Sequence, residues 1–188
     1  TFRPKGLMAG GDTYRIVVKG RQTHGAMPWS GVDPIVVASQ IVLGLQTVVS
    51  RQIDLTTAPA VVTVGTIEGG SRHNIVPDQV RMSGTIRTFD PDMRKEILAR
   101  VKRTAENIAE AAGATAELIL DEGYPVTWND PALTERMTPS LKRVAAGTFN
   151  PNAQPTTTSE DFSYYGQKVP ALYFFLGVAP TGADPAAW

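Results

Sequence analysis

The sequence predicts a ferredoxin-like βαββαβ domain followed by a second, incomplete α/β segment. Three observations carry that reading. Alternating, β-branched stretches recur at residues 12–19, 59–67, 79–89 and 114–121. Two Asp-Pro pairs, Asp33-Pro34 and Asp90-Pro91, each open a long run of helical periodicity. Past Tyr124 the texture changes to shorter helical runs, Pro/Asn loops and one apolar stretch.

The first domain follows element by element. Asp12 to Lys19 reads as a strand, and Gly20 to Gly31, with three glycines and a proline, as a loop. Ile35 to Arg51 is a helix with Val37, Ile41, Leu45 and Val48 on one face. Ile35, Val42 and Val49 widen that stripe, so the helix is expected to be covered on more than one side. Pro59 to Ile67 is a strand and Glu68 to Asp78 a second long loop. Gln79 to Phe89 alternates Val80, Met82 and Ile86 with Arg81, Ser83 and Arg87. Residues 91–112 form an amphipathic helix. Its core face is Met93, Ile97, Val101, Ala105, Ile108 and Ala112, and Arg94 is among the charged residues set toward water. Gly113 fits the position just past the helix end, and Ala114 to Asp121 is the fourth strand. This order gives one four-stranded antiparallel sheet with both helices on one face.

The second segment is less regular. Asn129-Asp130-Pro131 opens a helix to about Ala146. Thr158 and Asp161 stand at capping-box spacing and read as a helix N-terminus. Pro170 to Val178 reads as an apolar strand. A lone strand cannot satisfy its backbone groups, so it is expected to join a larger sheet that this chain does not contain. The expected boundaries are a hinge at 1–9, the ferredoxin-like domain at 10–122 and the second segment at 123–188.

Composition narrows the function. With 188 residues, 42% hydrophobic and 19% charged, the chain can bury a core, which excludes disordered and collagen-like classes. Lys plus Arg and Asp plus Glu are both 18, against a general nucleic-acid or membrane-surface binder. No apolar run reaches the roughly 18 residues of a spanning helix. No signal peptide opens the sequence, and the expected location is cytoplasmic. Without cysteine there are no disulfides, thiolate zinc sites or cysteine nucleophiles. Two histidines, His24 and His73, are few for a catalytic zinc, which takes about three protein ligands.

Three residues form a candidate set. His24, in the first loop, can donate to an oxyanion or exchange a proton, or simply bond loop backbone. The Asn74 amide can hold a carbonyl or carboxylate, or close an Asx-turn. Arg87 can fork onto a carboxylate, or sit on a solvated strand face. All three lie at or near loop ends of one sheet and together suit a small carboxylate or an amide oxyanion. Glu160 and Asp161 are candidate carboxylates, although capping accounts for much of that pattern. His73 is expected to be solvated.

Five segments resemble one known family. They are His24-Gly-Ala-Met-Pro-Trp-Ser-Gly-Val-Asp-Pro-Ile35, Gly69-Gly-Ser-Arg-His-Asn-Ile-Val-Pro-Asp78, Gly84-Thr-Ile-Arg-Thr88, Thr158-Ser-Glu-Asp-Phe-Ser163 and Phe175-Leu-Gly177. In this order they resemble the M20 metallopeptidases, and most the amidohydrolase branch with its hippurate, N-acyl-amino-acid and auxin-conjugate hydrolases. The resemblance implies a βαββαβ lid inserted into a catalytic domain, with homodimers formed through the lid. It implies hydrolysis of an acylated amino acid or peptide-like substrate with a divalent metal, zinc or similar. His24 would stabilise the tetrahedral intermediate, often in the partner subunit's site. Asn74, Arg87 and Gly177 would bind substrate. The family's metal ligands and general base belong to segments this chain lacks, and the branch's cysteine ligand is absent. No metal is therefore expected on this chain, and the chain alone is expected to be inactive. The alternatives are a non-catalytic dimerisation module and a small-carboxylate-binding domain.

Overall fold

The computed structural model describes residues 1–145 and 149–178. In chain order the strands and helices are β1 (Lys5–Met8), β2 (Gly10–Lys19), β3 (Thr23–His24), α1 (Pro34–Gln52), β4 (Ala60–Gly69), β5 (Ile75–Val76), β6 (Gln79–Thr88), α2 (Pro91–Ala111), β7 (Thr115–Tyr124), β8 (Thr127–Asn129), α3 (Pro131–Val144) and α4 (Ser163–Gly166). They divide into two compact units, Gly10–Tyr124 and Thr1–Ala9 together with Pro125–Trp188.

The Gly10–Tyr124 unit is the predicted βαββαβ domain. Its sheet runs in the order β4-β6-β2-β7, every pair antiparallel. Tyr14, Ile16 and Val18 from β2 and Val80, Met82 and Ile86 from β6 turn inward. They meet Val37, Ile41, Leu45 and Val48 of α1 and Met93, Ile97, Val101 and Ala105 of α2 in one core. Both helices start as the Asp-Pro pairs predict. The Asp33 carboxylate accepts from the Ile35 and Val36 amides, and Asp90 from those of Asp92 and Met93. On length and composition α1 is apolar enough to cross a membrane, contrary to the expectation that no such run exists. Its buried stripe is spent on the domain core, as in a core helix of a globular protein.

The α2 stripe ends one turn earlier than expected. Ala109 is buried and Ala112 exposed, because Gly113 takes φ +74° and breaks the helix there. The Gly113 amide reaches the Glu110 carbonyl and the Ala114 amide the Ala109 carbonyl, the paired bonds of a Schellman end.

The other unit departs further from the pattern. Residues 1–9, read as a hinge, supply β1, which pairs antiparallel with β8. The expected strand at 170–178 has no ladder partner over its described residues. Its bonds go elsewhere: the Tyr173 amide donates to Asn129 Oδ1 at 2.6 Å, and the Phe175 amide to the Thr1 carbonyl at 2.8 Å. Thr158 to Asp161 does not open a helix; α4 starts at Ser163, and Thr158 instead shares its hydroxyl hydrogen bond with Thr156. The third helix ends at Val144, and the expected end at Ala146 falls outside the described residues.

Candidate functional site

Strand β2 runs on through Gly20 into the first loop, where the Gly20 amide donates to the Asp78 carbonyl at 2.8 Å. Two residues of that loop, Thr23 and His24, pair with Val76 and Ile75 of the second loop. The Gly25 amide then reaches the Asn74 carbonyl at 2.8 Å. A Cβ at Gly25 would stand 3.0 Å from that oxygen, so a larger residue there would make the two loops give by a few tenths of an ångström. His24 and Asn74 therefore sit side by side, both exposed.

The turn after His24 is tied internally. The Met27 amide donates to the His24 carbonyl at 2.8 Å, and the Thr23 hydroxyl to the Met27 carbonyl at 3.2 Å. The Ala26 amide donates to His24 Nδ1 at 3.1 Å. An accepting Nδ1 assigns the ring proton of the neutral imidazole to Nε2. His24 thus offers an Nε2–H donor on a restrained ring, beside the Asn74 amide. An open cleft of about 510 Å³ adjoins them, lined by Gly25, Asp33, Gly70, Arg72, His73 and Ile75 among others.

Arg87 does not join this pair. It lies opposite Gly11 at one end of the sheet, whereas Lys19 and Gln79, next to the two loops, mark the other end. The eight residue steps from Gln79 to Arg87 span about 26 Å. The three residues thus lie at loop ends of one sheet, as expected, but His24 and Asn74 adjoin one end of β6 and Arg87 the other. Gly177 belongs to the other unit; it is exposed, and a Cβ there would meet nothing within 4 Å. Glu160 Oε1 accepts from the Asp161 amide at 3.1 Å. Burial, and then the Glu160 carboxylate that it hydrogen-bonds, push the Tyr173 phenol up. His73 is exposed on the cleft wall.

Sequence reasoning missed two features. Trp29, on the short turn that follows His24, leaves its ring 78% exposed. Asp12 was read as an ordinary strand residue, yet it is 3% exposed and holds Arg94 through two hydrogen bonds of 2.7 and 2.9 Å. Its signal was available: residue 12 shares the inward parity of Tyr14, Ile16 and Val18, and a buried carboxylate needs a partner.

Comparison with known proteins bears on this arrangement. The family described as "Peptidase dimerisation domain" matches residues 9–113, more than half of the chain. The chain belongs to the M20 peptidase family. It is 36% identical to N-acetyl-L-cysteine deacetylase of Bacillus subtilis over 171 residues, 91% of this chain and 40% of that protein. A structure from methicillin-resistant Staphylococcus aureus, of a protein assigned as an aminohydrolase, is similar with a TM-score of 0.85 at 31% identity. The match covers 97% of this chain and 47% of that one. A Bacillus subtilis structure, described as a dinuclear metal-binding peptidase of the M20 family, gives 0.71 at 32%, over 89% of this chain and 40% of the other. The chain thus spans less than half the length of these relatives. Among its described residues no three of His, Cys, Asp and Glu gather as metal ligands. The described residues do not fit a metal centre.

Proposed function

We propose that this chain supplies the dimerisation domain and part of the catalytic domain of an M20 amidohydrolase that cleaves N-acyl amino acids or related amides. The metal of such an enzyme would be held by residues outside this chain. What this chain contributes is substrate recognition. The Nε2–H of His24 donates to the oxyanion as the amide carbonyl becomes tetrahedral, a role worth about 3–4 kcal/mol for one such donor. Asn74, held beside it, bonds a neighbouring polar group of the substrate. Arg87 forks onto the substrate carboxylate.

One observation carries the proposal: His24 and Asn74 lie at one end of the sheet and Arg87 at the other. A small substrate cannot bridge the length of β6, whose Gln79 and Arg87 ends stand roughly 26 Å apart. Two copies resolve this, with Arg87 of one protomer and His24 of its partner meeting at one substrate. The surface for pairing is the outer edge of β4, with Val61 and Ile67 exposed, next to α1, which leaves Val36 and Leu43 exposed. An unpaired strand edge beside an apolar helix face suits an isologous contact.

The test is subunit complementation in the intact enzyme. Homodimers of His24→Ala and of Arg87→Ala are expected to lose at least about 100-fold in activity. Random mixing of the two makes half of the dimers mixed, each with one complete site, so about one quarter of wild-type activity should return. No recovery above either homodimer would place both residues in one protomer's site or in none. The alternative, a module that only dimerises, is favoured if His24→Ala keeps full activity.

A further inference from the structure

The chain crosses between its two units twice, at Ala9–Gly10 and at Tyr124–Pro125. On the sheet side the two crossings are neighbours, since Gly11 pairs with Tyr124. The ladder between β2 and β7 is irregular at this place. Gly11 faces Tyr124 but Thr13 faces Asp121, so Asp12 stands against two residues, Glu122 and Gly123. That is a bulge on β7, which takes an amide out of the ladder. The Asp12 carboxylate collects it: the Gly123 amide donates to Asp12 Oδ1 at 3.1 Å. Residue 123 must be glycine for the strands to approach this way, because a Cβ would stand 1.8 Å from the Gly11 carbonyl.

The same carboxylate is gripped from the helix layer. Arg94 Nε donates to Asp12 Oδ2 at 2.7 Å and a terminal guanidinium nitrogen to Oδ1 at 2.9 Å. That nitrogen also lies 3.4 Å from the exposed Glu122 carboxylate. Three elements are thus joined at one point: the first turn of α2, the start of β2 and the end of β7. Two charge-assisted bonds in fork geometry make this joint directional as well as strong. On the other side, order resumes at once. The Ala9 amide donates to the Thr156 carbonyl at 3.0 Å, and β8 begins at Thr127.

We propose that Asp12, Arg94 and the Gly123 amide form a hinge clamp that holds the ends of β2 and β7 as one rigid piece. Flexion between the two units is then confined to the Ala9–Gly10 bond and to Pro125–Val126. The clamp is a positioning device and touches no substrate.

The chain's lack of cysteine makes the test direct. Asn107→Cys on α2 and Lys142→Cys on α3, both exposed positions, carry one spin label in each unit. Pulsed dipolar spectroscopy reads the width of the distance distribution, and amide exchange across β6 reports whether the domain stays folded. Asp12→Asn and Arg94→Met should each widen the distribution at least about twofold, with β6 protection kept. Glu122→Gln, which removes only the exposed arm, should leave the parental width. Parental width in both Asp12→Asn and Arg94→Met overturns the proposal. So does widening that comes with lost β6 protection in both, since the contact would then hold the fold rather than the strand ends. If Asp12→Asn alone fails to fold, Arg94→Met, which keeps the aliphatic stem, decides.

Discussion

The two units are stabilised by different means. In the Gly10–Tyr124 unit, side chains from three strands and two helices close into one core, with Tyr14, Ile16, Ile41, Leu45, Ile86 and Ile97 at 0% exposure. In the other unit, among the described residues, the buried apolar cluster is Leu7, Met8 and Ala153, with Tyr173 and Phe175 partly buried against it. A polar residue does much of the joining there. Asn129, fully buried, donates to the Arg3 and Tyr173 carbonyls at 2.8 and 2.9 Å and accepts from the Tyr173 amide at 2.6 Å. Around it Tyr165, Val169, Leu176 and Val178 stay more than half exposed. A domain whose ladder closes within the chain can hide its apolar face, whereas one stitched by side chain to backbone leaves that face for further structure to cover.

The comparison would break first at the large core. Leu45→Ala should cost the Gly10–Tyr124 unit about 2–5 kcal/mol, because the site is walled by both helices and the sheet and cannot collapse freely. Denaturant unfolding followed by β6 amide exchange measures this, and amides of the other unit should keep their protection. Equal loss in both units would mean that they unfold as one.

A second core probe is pH. Burial pushes the Tyr14 phenol up from 10.0 to about 12, and its hydroxyl donates to the Thr63 carbonyl at 2.9 Å. The folded state holds this proton where the unfolded chain has lost it. The stabilisation is therefore complete below pH 10 and lost as pH rises through about 12, amounting to about 2–3 kcal/mol. Tyr14→Phe should flatten the fall in stability over that window relative to the parent. An unchanged slope would mean that other groups govern alkaline unfolding.

In the smaller unit the sensitive point is polar. Asn129→Ala strips partners from two carbonyls and an amide, an expected loss of about 1–3 kcal/mol. Limited proteolysis should show faster cleavage near Tyr173, with the Gly10–Tyr124 unit intact. Cleavage at the parental rate would show that the unit does not depend on this stitch.

The same contrast explains what the sequence discloses. Periodicity reports burial against a neighbour within the chain, so α1, α2 and the four-stranded sheet were legible, as were the Asp33, Asp90 and Asp130 caps. It fails where long-range bonds replace pattern. Residues 1–9 carry no alternation that predicts β1, and 170–178 reads as a strand although its partners are an Asn side chain and Thr1. For the site, residue type was legible and placement was not. His24 and Asn74 meet through the Gly25–Asn74 contact across two loops, which no local spacing encodes. Arg87 is removed from them by the length of β6, a distance that counting residues along that strand would have given.

The smallest expected effect is at Gly177. Its φ lies outside the left-handed region and a Cβ would meet nothing within 4 Å, so neither backbone nor packing requires glycine there. Gly177→Ala should change stability by less than about 0.5 kcal/mol. If glycine is needed because a substrate approaches the backbone, the intact enzyme should show a raised KM with unchanged thermal unfolding. The paired control is Gly84→Ala in the sheet, where a Cβ would stand 1.8 Å from the Thr63 carbonyl and the fold itself must yield. A rise in KM at 177 without loss of stability would assign the exposed face of the smaller unit to ligand. Silence in both measurements would leave the substrate contacts of this chain to His24, Asn74 and Arg87.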